Sequence, residues 1–125
     1  MIDHIGIEVS DYWEAKNFYT AVLATLGYDV VLEYEGWVGF GVQGKPDFWI
    51  HQGRNRPALH IAFRAASRKQ VDAFYRTAIK GGARDNGPPG LRTHYHANYY
   101  GAFVIDMDGR NIEAVCHEPD PKSEK

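Results

Sequence analysis

The same short pattern occurs twice along the chain, and each copy contains a histidine. The first copy is Asp3-His4-Ile5-Gly6-Ile7, and the second is Leu59-His60-Ile61-Ala62-Phe63. A Phe-Tyr pair follows each histidine at the same distance, at Phe18-Tyr19 and at Phe74-Tyr75. The two copies are offset by 56 positions, close to half of the 125 residues. A repeat of this kind predicts one structural unit used twice, with the two histidines at equivalent positions.

The first half is predicted to contain a strand, a helix and three further strands. An apolar run predicts a strand within residues 2–9. Ser10-Asp11 can cap the following helix, because either side chain accepts hydrogen bonds from the free N–H groups of its first turn. Gly27 follows the last apolar position at helical spacing and is typical of a helix end. The three strands are predicted at 28–33, 37–42 and 47–51, with glycine-containing turns between them.

The second half repeats this order. A strand is predicted at 59–64, followed by a helix that Ser67 caps and Gly81-Gly82 ends. A long loop rich in glycine and proline runs from Asp85 to Thr93, and strands at 99–106 and 111–117 form a hairpin. We therefore predict a single domain at 1–118, made of repeats at about 1–52 and 57–118, with a polar tail at 119–125.

Alternation along the predicted strands places both histidines on polar faces. His4 shares its face with Gly6 and Glu8, and His60 shares its face with Ala62 and Arg64, because residues two apart point the same way. Glu113 shares a face with Val115 and His117 in an otherwise apolar strand, where a carboxylate is costly to bury unless it is paired or bound to a cation. His4, His60 and Glu113 are therefore candidates for a metal site. A histidine considered singly is more often a hydrogen-bonded structural residue, and that alternative stays open.

Composition excludes several classes of function. The formal net charge of -2 gives no reason to expect nucleic acid or an anionic membrane as a partner. No apolar stretch approaches the roughly 20 residues that span a bilayer, and no signal segment opens the chain. Cys116 is the single cysteine, which excludes an internal disulfide and a cysteine-based zinc cluster within one chain. We therefore expect a cytoplasmic protein.

Several segments resemble the vicinal oxygen chelate superfamily, which includes glyoxalase I, fosfomycin and bleomycin resistance proteins and extradiol dioxygenases. The similar segments are 2–7, Phe18-Tyr19, 59–63 and, most specifically, Phe103-Val104-Ile105-Asp106-Met107-Asp108-Gly109-Arg110-Asn111-Ile112-Glu113. Together they cover nearly the whole chain. The resemblance implies an α+β fold in which two βαβββ modules form a cup-shaped mixed sheet around a divalent metal ion.

The resemblance also implies a ligand set for this ion. Family metal positions on the first and last strands correspond here to His4, His60 and Glu113. The fourth position falls on Phe48 or Trp49, neither of which is a usual ligand, and His51 could take it only with a shift in register. Two histidines and one carboxylate leave positions open for water or substrate. One divalent ion is therefore expected, with Zn, Fe, Mn and Ni as candidates.

Other histidines and aromatic residues are predicted to contact substrate or to move protons. His94 and His96 lie in the long loop of the second half, and histidine titrates near neutral pH. His96 is the predicted proton-transfer residue, because it lies nearer the strand that returns to Glu113; the alternative is that both histidines are exposed loop residues. Substrate contacts are also predicted for Trp37, Trp49, Tyr99 and Tyr100, with plain packing as the alternative.

Two functions follow from the resemblance. The first is a metal-dependent lyase, isomerase or dioxygenase that acts on a small molecule with two adjacent oxygens, with Glu113 and His96 as catalytic residues. Glyoxalase I chemistry uses a ligand glutamate in each half, and this chain has only one, which argues against that activity. The second is a non-catalytic protein that sequesters a drug or metabolite, as bleomycin resistance proteins do. The resemblance further implies a homodimer that covers the sheet edges.

Overall fold

A computed structural model describes residues 2–54, 57 and 59–121 of the chain. The chain forms two compact units, Met1–Pro57 and Ala58–Lys125. The segment between the two predicted repeats and the predicted tail at 119–125 fall partly outside the described residues. Neither helix in the described ranges is long and apolar enough to cross a membrane.

The first unit has the predicted order of one strand, one helix and three strands. Its elements are β1 (Ile5–Val9), α1 (Tyr12–Ala24), β2 (Asp29–Tyr34), β3 (Trp37–Val42) and β4 (Lys45–Gln52). They form a mixed sheet in the order β1-β4-β3-β2, in which β1 and β4 run parallel and the other neighbours antiparallel. Asp11 caps α1 as predicted, because its Oδ1 accepts from the N–H of Glu14 at 3.1 Å.

One face of this sheet packs against α1 and forms the core of the unit. Val38, Phe40, Phe48 and Ile50 are buried on the sheet, and Phe18, Tyr19, Val22 and Leu23 are buried on the helix. Helix and sheet meet closely, since the ring centroids of Tyr19 and Phe48 lie 5.3 Å apart. Alternation along the strands leaves His4, Gly6, Trp49 and His51 on the opposite face, away from the helix.

The second unit repeats the architecture with one addition. Its elements are β5 (His60–Arg64), α2 (Arg68–Lys80), β6 (Arg84–Asp85), β7 (Gly90–Leu91), β8 (Tyr100–Ile105) and β9 (Asn111–Cys116). The sheet order β5-β9-β8-β6 is that of the first unit, with β5 and β9 parallel. The α+β fold with a mixed sheet in each half is therefore confirmed.

The loop predicted at 85–93 was wrong in part, because it contains strand structure. Strands β6 and β7 are two residues each, and both pair with β8. Pro88 and Pro89 separate them, and proline cannot donate to a ladder. Gly87 adds a backbone φ of +145°, which other residues rarely adopt. The edge strand that corresponds to β2 is thus broken into two short pieces.

Candidate functional site

In the second unit, two of the predicted metal ligands are in direct contact. Parallel pairing of β5 with β9 places Ala62 opposite Glu113, and His60 lies on the same face two residues earlier. His60 Nε2 is 2.8 Å from Glu113 Oε1. The His60 side chain is 51% exposed, whereas that of Glu113 is only 2% exposed. The pair therefore has one buried member and one that opens to solvent.

Tyr99 makes the second contact of the buried carboxylate. Its hydroxyl donates to Glu113 Oε2, and Gly101 leaves room for this contact, since a Cβ there would lie 3.4 Å from that oxygen. Burial, and then the bond to Glu113, raise the pKa of the Tyr99 hydroxyl, so it remains a donor well above neutral pH. Neither contact of Glu113 is a lysine or an arginine. A buried carboxylate held in this way is suited to receiving a cation.

Two further histidines pair beside Tyr99. His96 Nε2 lies 2.7 Å from His117 Nδ1, and the two rings are 25° from parallel. The backbone N–H of Asn98 donates to His96 Nδ1 at 3.1 Å. The Tyr99 ring makes edge contacts at 5.4 Å with both imidazoles, so it connects this pair to Glu113. His117 was not among the predicted site residues, although its phase on the last strand placed it on the face of Glu113.

Arg92 places a positive charge near the same face. Phe103 is the β8 partner of Glu113, and its ring makes an edge contact with the His60 ring at 6.1 Å. The Arg92 guanidinium carbon lies 5.4 Å from the centre of the Phe103 ring, and Nη2 donates to the carbonyl of Pro88 at 2.8 Å. Arg92 was not predicted from the sequence, because no periodicity indicates which side chain of a loop folds back over a sheet.

The exposed sheet face of the first unit is an open aromatic pocket of about 860 Å³. Tyr34 and Trp49 have nearly parallel rings, 12° apart, with centroids separated by 6.3 Å. Trp37 stacks on His51 at 3.9 Å. Two of these rings belong to predicted substrate contacts, whereas Tyr34 carried no signal in the sequence beyond its type. The pocket is lined by Asp3, His4, Gly6, Tyr34, Trp37, Lys45, Pro46, Trp49 and His51.

His4 lies in this pocket with 59% of its side chain exposed. Its Nδ1 is 2.8 Å from Asp3 Oδ1, and Lys45 Nζ is 3.8 Å from the other oxygen of Asp3. The hydrogen bond with His4, followed by the charge of Lys45, lowers the pKa of Asp3, which therefore stays a carboxylate. A histidine whose Nδ1 proton is held by a carboxylate presents Nε2 as a ligand, which is the usual arrangement behind metal-bound imidazoles.

The register decides which residue of the first unit corresponds to Glu113. Glu113 pairs with Ala62, two positions after His60. Two positions after His4 is Gly6, whose partner on β4 is Trp49. Trp49, one of the two residues left open by the sequence, therefore occupies the equivalent place, and its ring lies over Gly39, where a Cβ would come within 2.8 Å. An indole therefore occupies the fourth metal position that the family resemblance implies, where a second carboxylate could have been a ligand.

Tyr100 and His94, two further predicted site residues of the second unit, make their described contacts with residues other than Glu113. Tyr100 donates to Asp72 on α2 at 2.6 Å, on the face opposite Glu113. Burial, and then this bond, raise the pKa of Tyr100 to about 12. His94 is exposed and packs on the Tyr95 ring at 4.2 Å. Within residues 2–54, 57 and 59–121, no three His, Cys, Asp or Glu side chains are grouped closely enough to hold a metal ion.

The chain is similar to proteins of a known family. The sequence pattern of the glyoxalase/bleomycin resistance protein/dioxygenase superfamily matches residues 1–114. The chain belongs to this superfamily. The vicinal oxygen chelate resemblance deduced from the repeat and the closing hairpin is thus confirmed. No curated protein sequence matches the chain.

Solved structures of superfamily members are similar over almost the full length. A glyoxalase/bleomycin resistance protein from Albidiferax ferrireducens is 29% identical, with a TM-score of 0.80 over 91% of this chain and 97% of that one. A family enzyme from Burkholderia phytofirmans is 18% identical, with a TM-score of 0.70 over 94% and 98%. A variant of the fosfomycin resistance protein FosX from Listeria monocytogenes, complexed with Mn(II) and a dihydroxypropylphosphonic acid, is 18% identical, with a TM-score of 0.67 over 92% and 88%. The last two likenesses concern the fold alone.

Proposed function

We propose that this superfamily member is a metal-dependent lyase, isomerase or oxygenase that acts on a small molecule with two adjacent oxygens. One divalent ion, with Zn, Fe, Mn and Ni as candidates, would be held by His4, His60 and Glu113. The observation that carries the proposal is the buried Glu113 carboxylate, whose contacts are a histidine and a tyrosine rather than a fixed cation. A buried carboxylate needs such partners, and the histidine among them is itself a usual metal ligand, so the pair could bind an ion together.

Two of the three proposed donor atoms lie close enough together to bind one ion. His60 Nε2 and Glu113 Oε1 are separated by 2.8 Å, and both are usual ligands of a divalent metal. Asp3 holds Nδ1 of His4, which leaves Nε2 for a metal. Two imidazoles and one carboxylate leave positions open for substrate oxygens. The Mn(II) complex of the fosfomycin resistance protein supports the same expectation for this fold.

The protein groups around this ion have separate tasks. The ion, when bound, would act as a Lewis acid toward the two substrate oxygens. Tyr99 orients Glu113 through its hydroxyl. The substrate contacts of Trp37 and Trp49, whose rings line the pocket of the first unit, stay predictions. The proton-transfer role of His96 and the substrate contact of His94 stay predictions. We leave Tyr100 out of the proposed site, because its hydroxyl is engaged by Asp72.

The register argues against glyoxalase I activity. Glyoxalase-type proton transfer uses a carboxylate ligand from each half, and Trp49 stands at the equivalent position of the first half. An indole can neither bind the metal nor accept a proton there. The proposed chemistry therefore depends on a single carboxylate, Glu113.

The test is metal content after a single isosteric change. We expect Glu113→Gln to lose at least about 90% of the bound metal, because a charged hard ligand is removed. The measurement is elemental analysis of protein purified without chelator. Glu35→Gln, at the exposed turn before β3, is the matched control and should keep the wild-type content. Full metal content in the Glu113 variant would overturn the assignment.

The alternative function is sequestration of a planar drug or metabolite without turnover. The aromatic pocket of the first unit favours it, because two nearly parallel rings, Tyr34 and Trp49, offer stacking surfaces to a flat ligand. A sequestering protein would bind its ligand equally well after chelator treatment, whereas the proposed enzyme would not. Calorimetric titration of a candidate ligand with and without metal separates the two functions.

We further propose a homodimer in the cytoplasm that binds neither nucleic acid nor membrane. The net charge of -2 supports the absence of an anionic partner. Light scattering tests the dimer through the mass of the particle.

A further inference from the structure

We propose that His117 donates a hydrogen bond to an oxygen of the substrate, and that His96 is the positioning residue that fixes His117 in the donating tautomer. The identity of the ligand rests on the function proposed above, whereas the tautomer does not. The substrate class becomes narrower: a small molecule with a carbonyl or carboxylate oxygen remote from its two adjacent oxygens.

The hydrogen-bond directions follow from a group that can only donate. The backbone N–H of Asn98 points at His96 Nδ1, 3.1 Å away, so this nitrogen is the acceptor and carries no proton. The proton of neutral His96 is then on Nε2, and its acceptor at 2.7 Å is His117 Nδ1. Because Nδ1 of His117 accepts, the proton of neutral His117 lies on Nε2. One bond from the backbone and one bond between the two side chains thus determine one tautomer.

His117 is exposed, and its phase on the strand places it on the face of the sheet that carries Glu113. Its contacts with the described residues are the hydrogen bond at Nδ1, the stacking of its ring on His96 and an edge contact with the Tyr99 ring, so Nε2 stays available to a ligand. His117 follows β9 and lies on the same face as Glu113, four residues later in the chain. Four residues of a strand span about 13 Å. An oxygen bound by His117 therefore belongs to the far end of a substrate whose adjacent oxygens lie at Glu113. The Tyr99 ring lies between the two positions.

The same hydrogen-bond directions argue against a second metal ion at the pair of His96 and His117. A metal on Nε2 of His96 would require the proton on Nδ1. That proton would face the N–H of Asn98, and two donors would oppose each other. The pair is therefore suited to donating one hydrogen bond, and it discriminates against a substrate with an ammonium group at that end.

The first experiment reads the tautomer without metal or substrate. Long-range 1H–15N spectra of chelator-treated, 15N-labelled protein at about pH 8.5, above the usual histidine pKa of about 6.5, report which ring nitrogen carries the proton. In the wild type, we expect the proton of His117 on Nε2. In His96→Glu, a carboxylate can only accept, so the proton of His117 should move to Nδ1 and the two nitrogen shifts should exchange.

Two variants serve as controls for this exchange. His96→Gln retains an N–H donor and should leave His117 as in the wild type. His94→Glu places the same charge on a neighbouring exposed histidine of the loop and should also leave it unchanged. If His117 keeps its proton on Nε2 in His96→Glu, or loses it equally in His94→Glu, the proposed role of His96 is wrong.

The second experiment tests the ligand class with two fragments of equal size. Benzoate offers an oxygen acceptor and benzylamine an ammonium donor, and binding to the chelator-treated protein is followed by calorimetric titration, which can be applied to every variant. We expect the wild type to bind benzoate at least about tenfold more tightly, the worth of one good hydrogen bond, and His117→Phe to lose this preference. His96→Glu should reduce or reverse it. Equal preferences in the wild type and His117→Phe would overturn the proposal, while metal loss in Glu113→Gln would leave it untouched.

Discussion

Two adjacent tyrosines of the second unit point their hydroxyls to opposite faces of the sheet, and each hydroxyl ends on a carboxylate. Tyr99 donates to Glu113, whereas Tyr100 donates to Asp72 on α2 at 2.6 Å. Neighbouring residues of a strand cannot serve the same face, so at most one of the two could reach the site. Both tyrosines were predicted to contact substrate, because alternation shows that their side chains point to opposite faces but does not show which of the two faces the helix.

The environment of Tyr100 predicts a loss of stability in alkaline solution. Its pKa is about 12 in the folded protein, raised by burial and by Asp72 from an ordinary value of 10.0. Between these values the unfolded chain releases the proton and the folded protein retains it, so stability falls as pH rises above about 10. Tyr28, held by burial and Asp47 at a pKa of about 12, contributes in the same direction.

Removing the Tyr100 hydroxyl should make this loss shallower. We expect Tyr100→Phe to cost about 1 kcal/mol near neutral pH, the net worth of its hydrogen bond, and to be less sensitive to pH above about 10 than the wild type. Urea unfolding at about pH 8 and at about pH 11 measures both effects. Equal alkaline losses in wild type and variant would show that Tyr100 does not retain its proton as described.

At the scale of elements, a glycine in β3 sets the position of the indole in the aromatic pocket. Gly39 and Gly6 both pair with Trp49, one on each side of β4. A Cβ at Gly39 would come within 2.8 Å of the indole ring, whereas a Cβ at Gly6 would make only an ordinary contact at 3.8 Å. The ring therefore lies flat over β3 because that strand has no side chain there.

This difference gives a matched pair of substitutions. Gly39→Ala should displace the Trp49 ring from the pocket, and Gly6→Ala should leave it in place. 19F spectra of protein labelled with 5-fluorotryptophan, with Trp49→Phe used for assignment, follow the ring directly. We expect a shifted Trp49 signal in the Gly39 variant alone, and an unshifted signal there would mean that the glycine is not what positions the indole.

Elements with strong local signals were predicted well, and connections were not. The strand at Trp37–Val42 has the predicted bounds, and Ser67 caps α2 as expected, because apolar alternation and capping side chains act over a few residues. His60 and Glu113 were placed on corresponding faces by the same alternation. The contact between His96 and His117 depends on how a loop returns to the sheet, which no periodicity encodes. Strands β6 and β7 were missed because two residues carry no pattern.

At the scale of the whole molecule, the outer strands of the two sheets motivate the expected dimer. Within the part of the chain that the structure describes, β1 and β2 are the outer strands of the first sheet, and β5 and the two short strands β6 and β7 are those of the second. Strand β2 also exposes Leu32 and Tyr34, which are 42% and 61% accessible. Natural proteins cover such edges, and a second copy is one means of doing so.

The dimer is tested by the mass of the particle. We expect light scattering at low micromolar concentration to give twice the chain mass of 14.1 kDa. A particle of one chain mass at that concentration would contradict the expectation, and it would leave the outer strands to be covered in another way.

The extra length of the second unit has a consequence for how this protein could acquire new ligands. The two helices are offset by the same 56 positions as the histidines, but Trp49 and Glu113 are offset by 64. The additional eight residues thus lie between α2 and β8, in the segment that carries His94, His96 and Tyr99. The register of β8 with β9 is the same as that of β3 with β4, apart from one bulge in the first unit. After a duplication of the βαβββ unit, one unit could therefore lengthen and diversify this segment while the paired strands beneath it kept their alignment. The selectivity for ligands could then change while the fold stayed the same.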